Sequence, residues 1–242
     1  MKDTKFRSGK LKKILLILCL VIVVAAAAYG IESAIIYNRE PQAKYVQSTR
    51  PTLFFHGFGS SSLAEKHMAR AAVKSGVTNT VIEAKVDKSG KVTLKGKIEK
   101  GAINPIVLVN YEDNKNPNYR QDGRYALAVV RKLQSEYGFT EINMVGHSMG
   151  NMSIMTQSYE ELTEIRDLYP EKQIDVLNIF GDRGDGGDGS VSITSSKSLR
   201  YLVEERAKSY REELIKGKGG KHSSLHENEE VDKLLIDFIW GK

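Results

Sequence analysis

Gly146-His147-Ser148-Met149-Gly150 closes an apolar segment, Ile142–Val145, and opens a helical one; no other stretch restricts the fold as tightly. A serine placed in this way is the corner of a tight strand-to-helix turn, where side chains on the flanking glycines would collide with strand or helix. The turn lifts the serine Oγ above a sheet edge and aims backbone N–H groups at an oxyanion forming beside it. The motif alone is weak, because a chain with 21 glycines among 242 residues shows G-x-S-x-G by chance in roughly one case in seven. Its context carries the argument.

Thr52–Phe55 is an apolar run ending in His56-Gly57-Phe58-Gly59, and helical spacing follows over Ala64–Lys74. Thr80–Val86 and Lys91–Ile98 alternate about Asp87-Lys88-Ser89-Gly90, as a hairpin does. Ile106–Asn110 predicts a buried strand, and Gln121–Tyr137 a helix with Ala126, Val129, Val130 and Leu133 on one face. Glu141–Val145 predicts the strand before the serine, and Met149–Leu168 a helix after it. Strands over Ile174–Phe180 and Tyr210–Ile215, with helices over Ser196–Val203 and Glu229–Trp240, complete the pattern. Such alternation predicts an α/β fold, a mainly parallel sheet covered by helices on both faces.

Within that frame, side chains for nucleophilic catalysis fall at strand ends in the order Ser, Asp, His. Ser148 is the candidate nucleophile. The loop after Ile174–Phe180 holds three candidate acids, Asp182, Asp185 and Asp188; Asp188 leads because Val191 and the helix of Ser196–Leu199 follow it at a suitable distance. Spacing by three misses the calcium-loop pattern of alternate positions. His222, directly after Gly217-Lys218-Gly219-Gly220-Lys221, is the candidate base, with His226 as the alternative. The N–H groups of Phe58 and Met149 are candidates for an oxyanion hole. His67 reads as a surface residue and His147 as packing beneath the turn. No nucleotide, haem or zinc motif is present, so no cofactor and no metal is expected.

The net charge of +6 does not mark a nucleic-acid face, because residues 1–13 alone carry +5. This basic flank precedes an apolar run, Ile14–Ala28, that continues with few interruptions to Ile36. The favoured reading is a transmembrane anchor over residues 14–36, a length that spans a ~30 Å hydrocarbon core. The alternative is a signal peptide cleaved near Ala28. The basic flank keeps the N-terminus cytoplasmic either way, so the domain of residues 51–242, after a polar linker of 37–50, is expected outside the cell membrane. The lone cysteine, Cys19, lies in the apolar run after Leu18, which excludes a disulfide within the chain and argues against lipoprotein cleavage.

Over residues 51–242 the chain resembles the α/β-hydrolases of Gram-positive cell surfaces. The resemblance rests on Phe54–Gly59, the hairpin Val81–Ile98, Asn118-Tyr119, Val145–Asn151, Leu177–Asp182 and His222-Ser223-Ser224-Leu225-His226-Glu227-Asn228. It implies lipase- or esterase-like chemistry on a small-molecule or lipid-like acyl substrate. Such hydrolases place a further strand, a cap region and another helix after the nucleophile helix; here residues 149–173 hold one helix and little else. An internal deletion of this kind predicts that Ile174–Phe180 closes up beside Glu141–Val145, carrying the acid loop by ~4.8 Å. Two functions follow: a serine hydrolase of carboxylic esters, or a non-catalytic surface binding protein on the same scaffold.

Overall fold

The computed structural model describes residues 2–155 and 171–242, without some side chains of the first 37 residues and those of Tyr119, Met152 and Met155. Residues Met1–Glu40 and Pro41–Lys242 are separate compact units. The first is one helix, α1 (Lys2–Tyr37), on which Ile14 to Val24 are exposed. Among the described residues no helix is long and apolar enough to cross a membrane.

The second unit begins with β1 (Thr52–Phe55), α2 (Ser62–Ser75), β2 (Val81–Val86), β3 (Val92–Lys95), β4 (Ile106–Tyr111), α3 (Tyr119–Tyr137), β5 (Asn143–Gly146) and α4 (Met149–Met155). Then come β6 (Asp175–Asp182), α5 (Ile193–Lys197), α6 (Leu199–Val203), β7 (Ser209–Lys216) and α7 (Glu229–Trp240). Local chemistry sets several boundaries. Ser61 caps α2 by accepting from the Leu63 N–H, and Gly76 ends it at φ 79°. Asn118 accepts from Arg120 and Gln121, starting α3 two residues before the expected Gln121. The helix expected over Ser196–Val203 is instead two short ones, parted at Ser198, whose hydroxyl donates to the Ser195 carbonyl at 2.7 Å. The expected continuation of α4 to Leu168 lies outside the described residues.

Five strands form one sheet in the order β3-β2-β4-β1-β5, parallel except for β3. Leu53, Phe55, Val107 and Val109 pack on one face beneath Tyr125, Ala126, Val129 and Leu133 of α3. Phe54, Ile106 and Leu108 pack on the other against Met68, Ala69 and Ala72 of α2 and Ile236 and Trp240 of α7. β6 and β7 form a second, parallel sheet in full register from Asp175↔Ser209 to Asp182↔Lys216.

The expected closing-up does not occur. β6 pairs with β7 and no ladder joins it to β5. The reason is that the second sheet is seated from its face, not its edge. α7 lays Val231 on Ile215 of β7 while Ile236 and Trp240 stay in the first sheet's core, and Leu235 touches both clusters. Sliding the second sheet by one strand would forfeit that apolar seam.

Glu65, on the inner face of α2, is 1% exposed, and neither carboxylate oxygen finds a partner among the described residues. Burial pushes its pKa up to about 8. A carboxyl raised in the folded state contributes fully below its unfolded value and loses that contribution as pH climbs through about 8. Glu65→Gln is therefore expected to match the wild type at pH 4.5, a value equal to the ordinary glutamate pKa. At about pH 9 it should exceed it by ~2–4 kcal/mol in urea unfolding.

Candidate active site

β5 ends in the turn that carries Ser148, and the turn is strained: Ser148 holds φ at 54°, a left-handed conformation that costs a β-carbon-bearing residue about 1–3 kcal/mol. Its neighbours show why glycine is needed. A β-carbon on Gly150 would lie 2.1 Å from the Phe55 carbonyl oxygen, and one on Gly146 would lie 2.7 Å from the Asn151 nitrogen. Gly57 is less tightly placed, its β-carbon standing 3.0 Å from that of Ser148. The His56–Gly59 loop and the serine turn are thus pressed together at the ends of two paired strands, β1 and β5.

The second sheet supplies the partners. After β6 the chain enters the aspartate loop; after β7 it passes through two 3₁₀ turns, Gly217–Gly220 and His222–Glu227. The loops interlock, with the His222 N–H donating to the Asp188 carbonyl at 2.9 Å. The imidazole of His222 then spans the gap: Nδ1 lies 2.8 Å from Asp188 Oδ2 and Nε2 lies 2.9 Å from Ser148 Oγ. The consistent proton placement has Nδ1–H donating to Asp188 and the Ser148 hydroxyl donating to Nε2. Asp188 also accepts from the N–H groups of Ser190 at 2.8 Å and Val191 at 2.7 Å. Burial works against its ionisation, but these bonds, that of His222 foremost, hold the carboxyl below its ordinary range.

The other candidates stand elsewhere. Asp182 accepts from Gly184 and Gly186 and shapes the loop; Asp185 pairs with Arg183 at the surface. His226 does not reach Ser148 but lies against the His147 ring, centroids 4.7 Å apart. The N–H groups of Phe58 and Met149 donate to nothing among the described residues; Met149 directly follows Ser148, and Phe58 follows Gly57, which abuts Ser148. The site can pass a proton from Ser148 to His222 beside two open donors, the requirements of acyl transfer. Among the described residues no cluster of metal-ligating side chains occurs.

Two contributors have no signal in the sequence beyond their type. His56 is 1% exposed; its Nε2 accepts from the Tyr111 N–H at 3.2 Å and its Nδ1–H donates to the Gly57 carbonyl at 2.9 Å, tying the Phe58 loop to β4. His147 points its Nε2–H at the His222 carbonyl, 2.9 Å away. Gly150→Ala is expected to unseat the serine turn, because the Phe55 carbonyl belongs to a paired strand and cannot retreat. The variant should lose ~3 kcal/mol of stability in urea unfolding, at the upper end of overpacking costs.

A family model described as "alpha/beta hydrolase of unknown function (DUF915)" matches residues 39–156 and 153–242. The product of the lin2722 gene of Listeria innocua has a crystal structure that superposes with a TM-score of 0.71 at 22% identity, over 79% of this chain and 94% of that one. A "putative cell surface hydrolase" of Lactobacillus plantarum superposes with a TM-score of 0.66 at 17% identity, over 80% of this chain and 91% of that one. No curated protein matches. At such identities the likeness is one of fold, and the fold is that of the α/β-hydrolases, mostly parallel strands with helices on both faces. With residues 39–242 matched in two pieces that meet at the end of α4, the chain belongs to the alpha/beta hydrolases of unknown function.

Proposed function

We propose that the chain is an extracytoplasmic serine hydrolase of carboxylic esters, lipase- or esterase-like, acting on a small-molecule or lipid-like acyl substrate. The observation that carries this reading is the continuous hydrogen-bond path Ser148–His222–Asp188, with links of 2.9 and 2.8 Å. Ser148 Oγ attacks the acyl carbon as its proton moves to His222 Nε2, and the carbonyl oxygen gains charge beside the N–H groups of Phe58 and Met149. Asp188 keeps Nδ1 protonated and stabilises the imidazolium. Collapse breaks the ester bond, and the leaving alcohol takes the proton from Nε2. Water repeats the sequence in reverse, releasing the acid and restoring Ser148.

A fluorophosphonate probe tests the reading, since it needs an assembled nucleophile and base but no known substrate. Labelling is expected for the wild type, none for Ser148→Ala, and a loss of about 10³-fold or more for His222→Ala. Asp188→Asn should cost about 10⁴-fold while Asp182→Asn stays within about threefold. A folded wild type that never labels would instead favour the binding-protein reading.

The placement outside the membrane rests on the sequence of the first unit, where the apolar run of residues 14–36 follows the basic flank. An uncleaved anchor predicts that the full chain sediments with membranes and resists extraction by alkaline carbonate. Release of a shortened chain beginning after Ala28 would identify a signal peptide instead.

A further inference from the structure

Nucleophile and base belong here to different sheets. Ser148 follows β5 in the first, Asp188 and His222 follow β6 and β7 in the second, and no strand ladder joins the two. In a continuous sheet the ladder itself would fix how far one strand end stands from the next. Among the described residues, two hydrogen bonds run directly from the β5–α4 turn to the loops of the second sheet, and both end on His222. One is the reactive contact with Ser148. The other comes from His147.

We propose that His147 is a positioning residue: its Nε2–H holds the main chain of His222 so that the His222 imidazole meets Ser148 and Asp188 at once across the break between the sheets. The inference rests on the serine-hydrolase reading and deepens it.

The geometry fits the task. His147 is itself fixed on the first sheet, its N–H donating to the Phe55 carbonyl at 3.1 Å and its carbonyl accepting from Gly150 at 2.9 Å. The His222 backbone is then gripped on both sides, its N–H by the Asp188 carbonyl and its carbonyl by His147, each at 2.9 Å. A carbonyl accepts only, so Nε2 of His147 must carry a proton. The ring is wedged between His222 and His226, with centroids 5.0 and 4.7 Å away, which restrains its rotation. Burial pushes its pKa down to about 4, against the bond to the His222 carbonyl, which favours the charged form. Near neutral pH the ring is thus an uncharged donor that neither competes for the Ser148 proton nor repels the imidazolium formed on His222.

The test uses the full-length chain in detergent micelles and two substitutions. His147→Phe keeps a ring between His222 and His226 but removes the donor; His147→Gln replaces the donor with an amide N–H at similar reach. Fluorophosphonate labelling is expected to slow about 10- to 100-fold in His147→Phe and to return to within about fivefold of wild type in His147→Gln. The low-field proton resonance of His222 Nδ1–H should weaken or shift in the phenylalanine variant and recover in the glutamine one. Labelling by His147→Phe at the wild-type rate, or equal impairment of both variants with unchanged unfolding midpoints, overturns the proposal. A wild type that does not label defeats the hydrolase reading alone. The resonance still decides the role of His147, and its persistence in His147→Phe would overturn it.

Discussion

One apolar seam holds the active-site region together. α7 buries Ile236 and Trp240 against the first sheet and Val231 against the second, and Leu235 bridges them. With no ladder between β5 and β6, this helix sets the distance between a nucleophile on one sheet and an acid and base on the other. Apolar packing spread over a helix face is well suited to that task, because it tolerates the loss of an edge-to-edge hydrogen-bond row as long as the buried area survives. The interlocked loops then refine the placement to hydrogen-bond accuracy, through Asp188 and His222 on their own side and through Ser148 and His147 across the break.

A second constraint is steric and acts at the serine turn. The left-handed backbone of Ser148 is tolerated because its surroundings leave no alternative: Gly150 lies against the Phe55 carbonyl, Gly146 against Asn151, and Gly57 against Ser148 itself. Each contact lies at the C-terminal ends of β1 and β5, paired from Thr52↔Asn143 to Phe55↔Gly146. Parallel pairing therefore supplies the rigidity, and the glycines supply the room. Phe58 and Met149, next in sequence to Gly57 and Ser148, carry N–H groups that donate to nothing among the described residues. His56, bonded to both Tyr111 and Gly57, keeps the Phe58 loop from drifting.

Much of this was legible from residue order. Apolar runs bounded by glycine and polar turns located the strands, and the closing helix falls on Glu229–Trp240 as expected, with the Asn228 side chain accepting from the Glu230 N–H at its start. Where periodicity was the only guide, boundaries slipped: the segment read as one helix over Ser196–Val203 divides at Ser198, whose hydroxyl donates to the Ser195 carbonyl. The aspartate loop illustrates a different limit. Asp182, Asp185 and Asp188 are chemically alike and three residues apart, and what separates them is that Asp182 folds back on Gly184 and Gly186 while Asp188 faces His222.

Local chemistry was thus determined by the sequence itself: where strands stop and which side chains are available at the strand ends. Those properties depend on neighbours within a few residues, and the chain carries them in any fold. The meeting of β6 with β7 instead of β5 depends on residues 34 positions apart, and the roles open to His56 and His147 on residues 55 and 75 positions apart. Residue order does not express such distances; the tertiary structure decides them, because α7 buries one face against both sheets while the turn His222–Glu227 packs on α2 and bonds to the serine turn.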